Sequence, residues 1–229
     1  MQLAILNDTL KQFFDALAQG WETGLEPLYE TISTWQDAWP PTSPSALSAT
    51  LDAALSNQQT RAFWQGHAYF PKEVMMQFAD FAPDMTNMAF GRLFNEEVDL
   101  GDRFRGFNFY LDEVLGEMRR LDLKKVPSTH YHDDNRAPSL YCACRYPSTH
   151  GFFEHDVYRN ALLLLKARDV GSVVDATRFA KTVKVVNTFV RKEEAFVKVH
   201  LKRLKKTDFK EPAALVASEY FRFLESEIA

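Results

Sequence analysis

Val173 to Lys206, VVDATRFAKTVKVVNTFVRKEEAFVKVHLKRLKK, is the stretch on which the fold class turns. Phe179, Val183, Val186, Phe189, Val190, Phe196, Val197, Leu201 and Leu204 recur at spacings of 3, 4 and 7. That is the period of one helix face, not the alternation of a strand. Lysines and arginines fill the gaps. The pattern predicts one long basic amphipathic helix, or two with a break near Asn187-Thr188.

The same period continues outward. Downstream, Pro212 sits at the start of a last helix carrying Leu215, Val216, Tyr220, Phe221, Leu224 and Ile228. Upstream, His155 through Ala167 reads as a short buried helix with Leu162–Leu165 mostly inside. Pro147 ends a helix that carries Leu140, Ala143 and Cys144, with Asp133 or Asp134 as its cap. Val126 to Tyr131 is a loop. Asp99 caps a helix whose inner face uses Phe104, Phe107, Tyr110, Leu111, Val114, Leu115 and Met118. Pro71 and Pro83 suit first-turn positions of two further helices. Leu3 to Leu17 and Trp21 to Ile32 form two more, separated by Gly20. Trp39-Pro40-Pro41-Thr42-Ser43-Pro44 must be extended or turning, since each proline removes a donor and restricts its predecessor.

Strand-like alternation is nearly absent. The expectation is an all-α protein, a multi-helix orthogonal bundle of about 9–10 helices. Its expected divisions are an N-terminal helical subdomain at 1–39, a proline-rich linker at 40–44 and a main helical domain at 45–229, the alternative being one domain that the prolines simply bend. The expected core is Phe78, Phe90, Leu93, Phe94, Phe104, Phe107, Leu111, Leu140, Leu162–Leu165, Phe179, Val183, Val186 and Phe221.

Composition agrees with a globular chain. Of 229 residues, 46% are hydrophobic and 25% charged, and 19 are Phe, too many large apolar side chains for a disordered segment. Cys142 and Cys144 are the only two cysteines, which rules out a disulfide framework. The N-terminus is interrupted by Asp8, Lys11 and Asp15 and lacks the pattern of a signal peptide. The longest apolar run, Ala161–Leu165, falls far short of the roughly 20 residues of a membrane span. A cytoplasmic protein with no membrane partner is therefore expected.

Charge is unevenly placed. The formal net charge is −4, yet residues 1–60 carry −6 and residues 176–210 carry +8. Within the basic segment, Arg191, Lys192, Lys198, Lys202, Arg203, Lys205, Lys206 and Lys210 fit one side of a helix. Such a stripe can contact a nucleic-acid phosphate backbone, dock an acidic surface or face solvent.

Motifs of common chemistries are missing. No Gly-rich phosphate loop ends in Lys-Ser or Lys-Thr, no Gly-x-Ser-x-Gly elbow occurs, and no pair of CxxC motifs exists. The densest polar cluster is Thr129-His130-Tyr131-His132-Asp133-Asp134-Asn135-Arg136. If extended, it directs His130 and His132 the same way, and a carboxylate with His150 or His155 would complete a metal site. The simpler reading is a helix cap at Asp133 or Asp134. Arg136, Arg145 and Arg159 form a candidate phosphate patch, with the helix dipole as the plainer explanation of Arg145. Phe63, Trp64, His67, Tyr69 and Phe70 form either an exposed aromatic platform or a hydrophobic corner.

The block from His130 to Pro147 resembles one in McrB-like restriction proteins, upstream of their AAA+ module. Asp134 and Arg136-Ala137 match the first part of that block, and Arg145-Tyr146-Pro147 match the second. Phe90–Leu100, with Arg103 and Phe107 after it, and Leu215–Leu224 resemble two further blocks. The likeness spans roughly residues 85–225, counted from the quoted blocks. It implies a non-catalytic helical part of a DNA restriction or antiviral defence protein, contacting DNA or coupling recognition to an AAA+ motor. It implies no catalytic residue and no cofactor, and puts the motor's nucleotide motifs beyond Ala229 or on another polypeptide. The alternative is a protein-interaction domain binding a partner subunit or phage protein without DNA affinity. A third reading is a metal-dependent enzyme using His130, His132, Asp133 and Asp134.

Overall fold

The computed structural model describes residues 1–56, 61–64, 69–121, 124–173, 175–204, 209 and 211–227. Among them no β-strand occurs. The helices are α1 (Leu3–Ala18), α2 (Glu26–Ala38), a 3-10 turn (Pro44–Ala46), α3 (Leu47–Leu55), α4 (Arg61–Trp64), α5 (Pro71–Phe81) and α6 (Pro83–Leu93). They continue with α7 (Leu100–Arg120), α8 (Arg136–Arg145), α9 (His155–Leu164), α10 (Ala176–Lys192), α11 (Glu194–Arg203) and α12 (Leu215–Ser226). None is long and apolar enough to cross a membrane.

The basic segment is two helices, and the break lies at Glu193 rather than near Asn187-Thr188. Asn187 lies inside the first of them, is buried, and its side-chain amide donates to the Ser148 carbonyl (3.4 Å). Glu193 leaves the helical region, with φ −94° and ψ 84°.

The chain divides into two compact units, Met1–Tyr29 with Tyr146–Ala229, and Glu30–Arg145. Residues 40–44, the proline-rich stretch, lie inside the second unit. Trp39, next to Pro40, stacks on the buried Trp35 at 4.8 Å and 15°, which ties the proline stretch to that core.

In the first unit α12 is buried from Leu215 to Phe221 and again at Phe223 and Leu224. It is enclosed on most sides, with Ser218 and Glu219 buried among its apolar residues, and α1, α9 and α10 pack against it. Phe13 of α1 sits among Phe14, Trp21, Phe196, Tyr220 and Phe223, all with ring centroids within 6.4 Å. Gly151 passes close to α12, where a Cβ would lie 2.7 Å from Ser218 Oγ. Leu163, expected inside with its neighbours, is 48% exposed, while Leu162 and Leu165 are buried. Successive helical residues stand about 100° apart, so the run up to Leu164 cannot turn every side chain inward.

In the second unit α7 is the longest helix, begun by Asp99, whose carboxylate accepts from the Gly101 amide. It buries Arg103, Phe104, Phe107, Leu111, Val114, Leu115 and Met118. α6 packs on it closely at Gly106. The middle of α8, from Ala137 to Cys144, is entirely buried. Tyr141 at its centre stacks with Trp64 (5.7 Å, 14°), Trp35 (5.7 Å, 30°) and His132 (5.8 Å, 28°). Trp64 thus belongs to a hydrophobic corner and not to an exposed platform; His67 lies outside the described residues. Burial pushes the Cys142 thiol up to about 12 and raises Cys144 as well, so both stay protonated and unreactive.

Candidate nucleic-acid interface

The histidine cluster belongs to the second unit. Tyr131 has φ 62°, so residues 130–132 turn through a left-handed residue instead of running extended. His130 Nδ1 accepts the His132 backbone N–H at 3.1 Å. The neutral ring must then carry its proton on Nε2. That nitrogen faces Asp112 and Asp133, whose carboxylate oxygens are 3.3 and 3.4 Å away. His132 is fully enclosed. Its Nδ1–H donates to the His130 carbonyl, and its Nε2 accepts from the Tyr141 hydroxyl at 3.2 Å. Burial, with His130 beside it, holds its pKa down at about 3. No lone pair is left on either ring for a cation, because His130 Nε2 is protonated and both nitrogens of His132 are engaged. Among the described residues no group of three or more His, Cys, Asp and Glu is placed to hold a metal.

The residues carrying the family resemblance have local duties. Asp134 accepts from the Arg136 backbone N–H at 2.9 Å, ahead of α8. Arg136 lies over the Tyr69 ring, 5.7 Å from its centroid. The Arg145 carbonyl accepts from Gln36 at 3.2 Å. The Tyr146 carbonyl accepts the Thr149 and His150 amides, and the Pro147 carbonyl takes the Ala214 amide at 2.6 Å. His155 pairs with Asp156, next to it in sequence. Arg159 donates to the Gly171 carbonyl at 3.0 Å. Arg136 and Arg145 stand at opposite ends of α8 in the second unit, and Arg159 belongs to the first.

A second polar cluster, unmarked in the sequence, lies inside the first unit. Glu219 of α12 has no exposure and accepts hydrogen bonds from several sides. Thr23 Oγ1 and the Tyr29 hydroxyl each donate at 2.9 Å. Arg203 Nη2 donates to both carboxylate oxygens at 2.7 and 2.8 Å. Arg203 also reaches Glu26 (3.4 Å) and the Nδ1 of buried His200 (3.2 Å). Burial first, and Arg203 second, hold His200 down at about 3, so it stays neutral. Burial raises Glu219, opposed by Arg203, Tyr29 and Thr23. The hint in the sequence is Glu219 set among Leu215, Val216, Tyr220 and Phe221 of the last helix.

The basic face is the third cluster. α10 buries Phe179, Val183, Val186 and Val190. Its outer side exposes Lys181, Lys184, Thr188, Arg191 and Lys192. The helix holds no acidic residue, and Asp175 caps it through the Thr177 and Arg178 amides at 2.6 and 3.0 Å. From Lys181 to Lys192 the row runs about 16 Å at 1.5 Å per residue. α11 buries Phe196 and His200 and exposes Lys198 and Lys202, one turn apart.

Of the stripe expected from sequence, Arg191, Lys192, Lys198 and Lys202 are exposed. Arg191 also donates to the Ser148 carbonyl at 3.3 Å and lies 4.0 Å from Glu211. Arg203 is a correction: it turns inward, because Glu219 needs a buried counter-charge. Lys205, Lys206 and Lys210 lie outside the described residues. Lys181 and Lys184 were missed, although their spacing to Thr188 and Arg191 is helical and was readable. The chain matches no protein-family model, no curated protein and no solved structure.

Proposed function

We propose that this chain is a non-catalytic helical module that grips the phosphate backbone of DNA through the outer face of α10. One observation carries the reading. A helix of 17 residues presents Lys181, Lys184, Arg191 and Lys192 to solvent, contains no acid, and is fixed along its other side by buried apolar residues. A straight row of cations on a rigid element suits a linear polyanion, and such contacts are insensitive to base sequence. Lys198 and Lys202 on α11 would add to it. The setting of a restriction or defence protein working with an AAA+ motor rests on the sequence resemblance alone.

The test is fluorescence anisotropy of a labelled DNA duplex at several salt concentrations. The wild-type chain is expected to bind with log K falling against log salt, by about 0.9 for each phosphate contact. A Lys181→Gln/Lys184→Gln/Lys192→Gln variant should bind weakly with a much shallower slope. Absence of binding at low salt would refute the proposal.

A second reading, docking of a protein partner, is favoured by one feature. An apolar groove of 380 Å³ lies between α1 and α11, lined by Phe14, Ala18, Ala195, Phe196 and Val199, with Lys11, Asp15 and Glu193 also lining it. It predicts partner binding that Val199→Asp abolishes and the lysine substitutions leave alone.

A further inference from the structure

The cationic row of α10 does not stop at Lys181. The turn leaving α9 closes with the Lys166 amide on the Leu163 carbonyl (3.0 Å) and the Ala167 amide on the Leu162 carbonyl (2.9 Å). That pair of bonds puts a left-handed residue just past the helix, a position usually given to glycine. Here it is Lys166, with φ 46°. Asp169 follows with φ 54°, a second left-handed residue that is not glycine. Two such residues within one short loop require the surroundings to hold them.

Two guanidinium groups supply that hold. Arg178 of α10 donates to the carbonyls of Arg168 (2.6 Å) and Asp169 (2.8 Å). Arg159 of α9 donates to the carbonyl of Gly171 (3.0 Å). These bonds engage loop carbonyls, while the side chains of Lys166 and Arg168 remain exposed. Among the described residues no carboxylate pairs with Lys166, Arg168, Arg178 or Lys181. The acids nearby in sequence are Asp169, which is exposed, and Asp175, which is committed to capping α10. Arg178 stands one turn from Lys181, so the loop and the α10 row are contiguous.

We infer that the 166–171 loop is a second phosphate-gripping element, in which Lys166 and Arg168 carry the DNA backbone track onward from α10, with Arg159 and Arg178 as positioning residues. This rests on the reading of α10 as a DNA-binding face. Arg168 presents a guanidinium fork suited to a phosphate, and the loop's fixed shape lowers the ordering cost of using it.

The test repeats the salt titration on the full chain with three variants: Lys166→Gln/Arg168→Gln, Lys184→Gln/Lys192→Gln, and Arg178→Lys. Circular dichroism melts check that each is folded. The loop variant is expected to lose roughly 2 from the slope of log K against log salt, about 0.9 per missing contact. Arg178→Lys keeps the charge but loses the fork that spans two carbonyls, so its binding should weaken as well. A loop variant with wild-type slope and affinity, beside a weakened α10 variant, overturns the inference and leaves the α10 reading standing. No salt-dependent binding by the wild type overturns both. If the double loop variant does not fold, Arg168→Gln alone is read, with an expected slope change of about 0.9.

Discussion

Arg203 grips Glu219 with one nitrogen on both carboxylate oxygens, at 2.7 and 2.8 Å, and Glu219 is wholly enclosed. Thr23 and Tyr29 add two more donors from the N-terminal segment, so one carboxylate ties that segment to α11 and α12. Breaking a buried pair leaves its partner uncompensated, and that penalty exceeds what the pair itself is worth. Glu219→Gln should therefore lower the unfolding free energy by about 3 kcal/mol. Arg203→Met combined with Glu219→Met should recover part of that, because no charge is left buried while the Thr23 and Tyr29 hydroxyls lose their acceptor. Urea denaturation of the two variants would check it, and equal losses in both would argue against a charge-based origin.

Acid should weaken the fold in a defined window. His132 and His200 are held down at about 3 by burial, against an ordinary value of 6.5. Below pH 6.5 the unfolded chain takes up protons that the folded chain refuses. Stability is thus complete above 6.5 and falls as pH drops toward 3, by about 1.4 kcal/mol per pH unit for each ring. Denaturation midpoints at pH 7 and pH 5 should show the fall. His200→Leu should flatten the dependence even where it lowers the midpoint at pH 7.

Two glycines should respond oppositely to the same change. Gly151→Ala would drive a Cβ to 2.7 Å from Ser218 Oγ and 3.3 Å from the Ala214 carbonyl. Ser218 cannot move freely, because it is buried and its Oγ accepts the Phe152 amide at 2.9 Å. A loss of about 1–3 kcal/mol is expected. Gly116 lies exposed within α7, with nothing within 4 Å of an added Cβ. Gly116→Ala should gain up to about 1 kcal/mol from helix propensity. Thermal melts of the two variants would separate the effects.

Divalent zinc or manganese should leave the melting temperature unchanged. His130 uses Nδ1 to accept an amide, and His132 uses both nitrogens inside the fold. A rise of several degrees on adding metal, lost in His132→Ala, would show that these rings are protonated otherwise.

Much of the helical framework was legible in the sequence. Phe179, Val183, Val186 and Val190 follow the helix period, and all four are buried on one face of α10. Asp99, Pro71 and Pro83 mark helix starts because capping and proline geometry act within a few residues. Leu163 shows the limit of reading a continuous apolar run, since the run does not say which member faces out.

Lys202 and Arg203 mark the division most sharply. Adjacent and equally basic, they look interchangeable in sequence, yet Lys202 is exposed and Arg203 is locked onto Glu219. Helix geometry turns neighbouring side chains about 100° apart. Which of the two turns inward depends on Glu219, a residue brought beside it only by packing. The sequence alone determined the all-helical class, the periodic apolar faces and the concentration of positive charge in residues 176–210. Tertiary structure decided which cations reach solvent, enclosed His130 and His132 instead of opening them to a ligand, and set Arg168 and Lys166 beside α10. Periodicity is a local property of the backbone, whereas pairing a buried charge needs a partner from elsewhere in the chain.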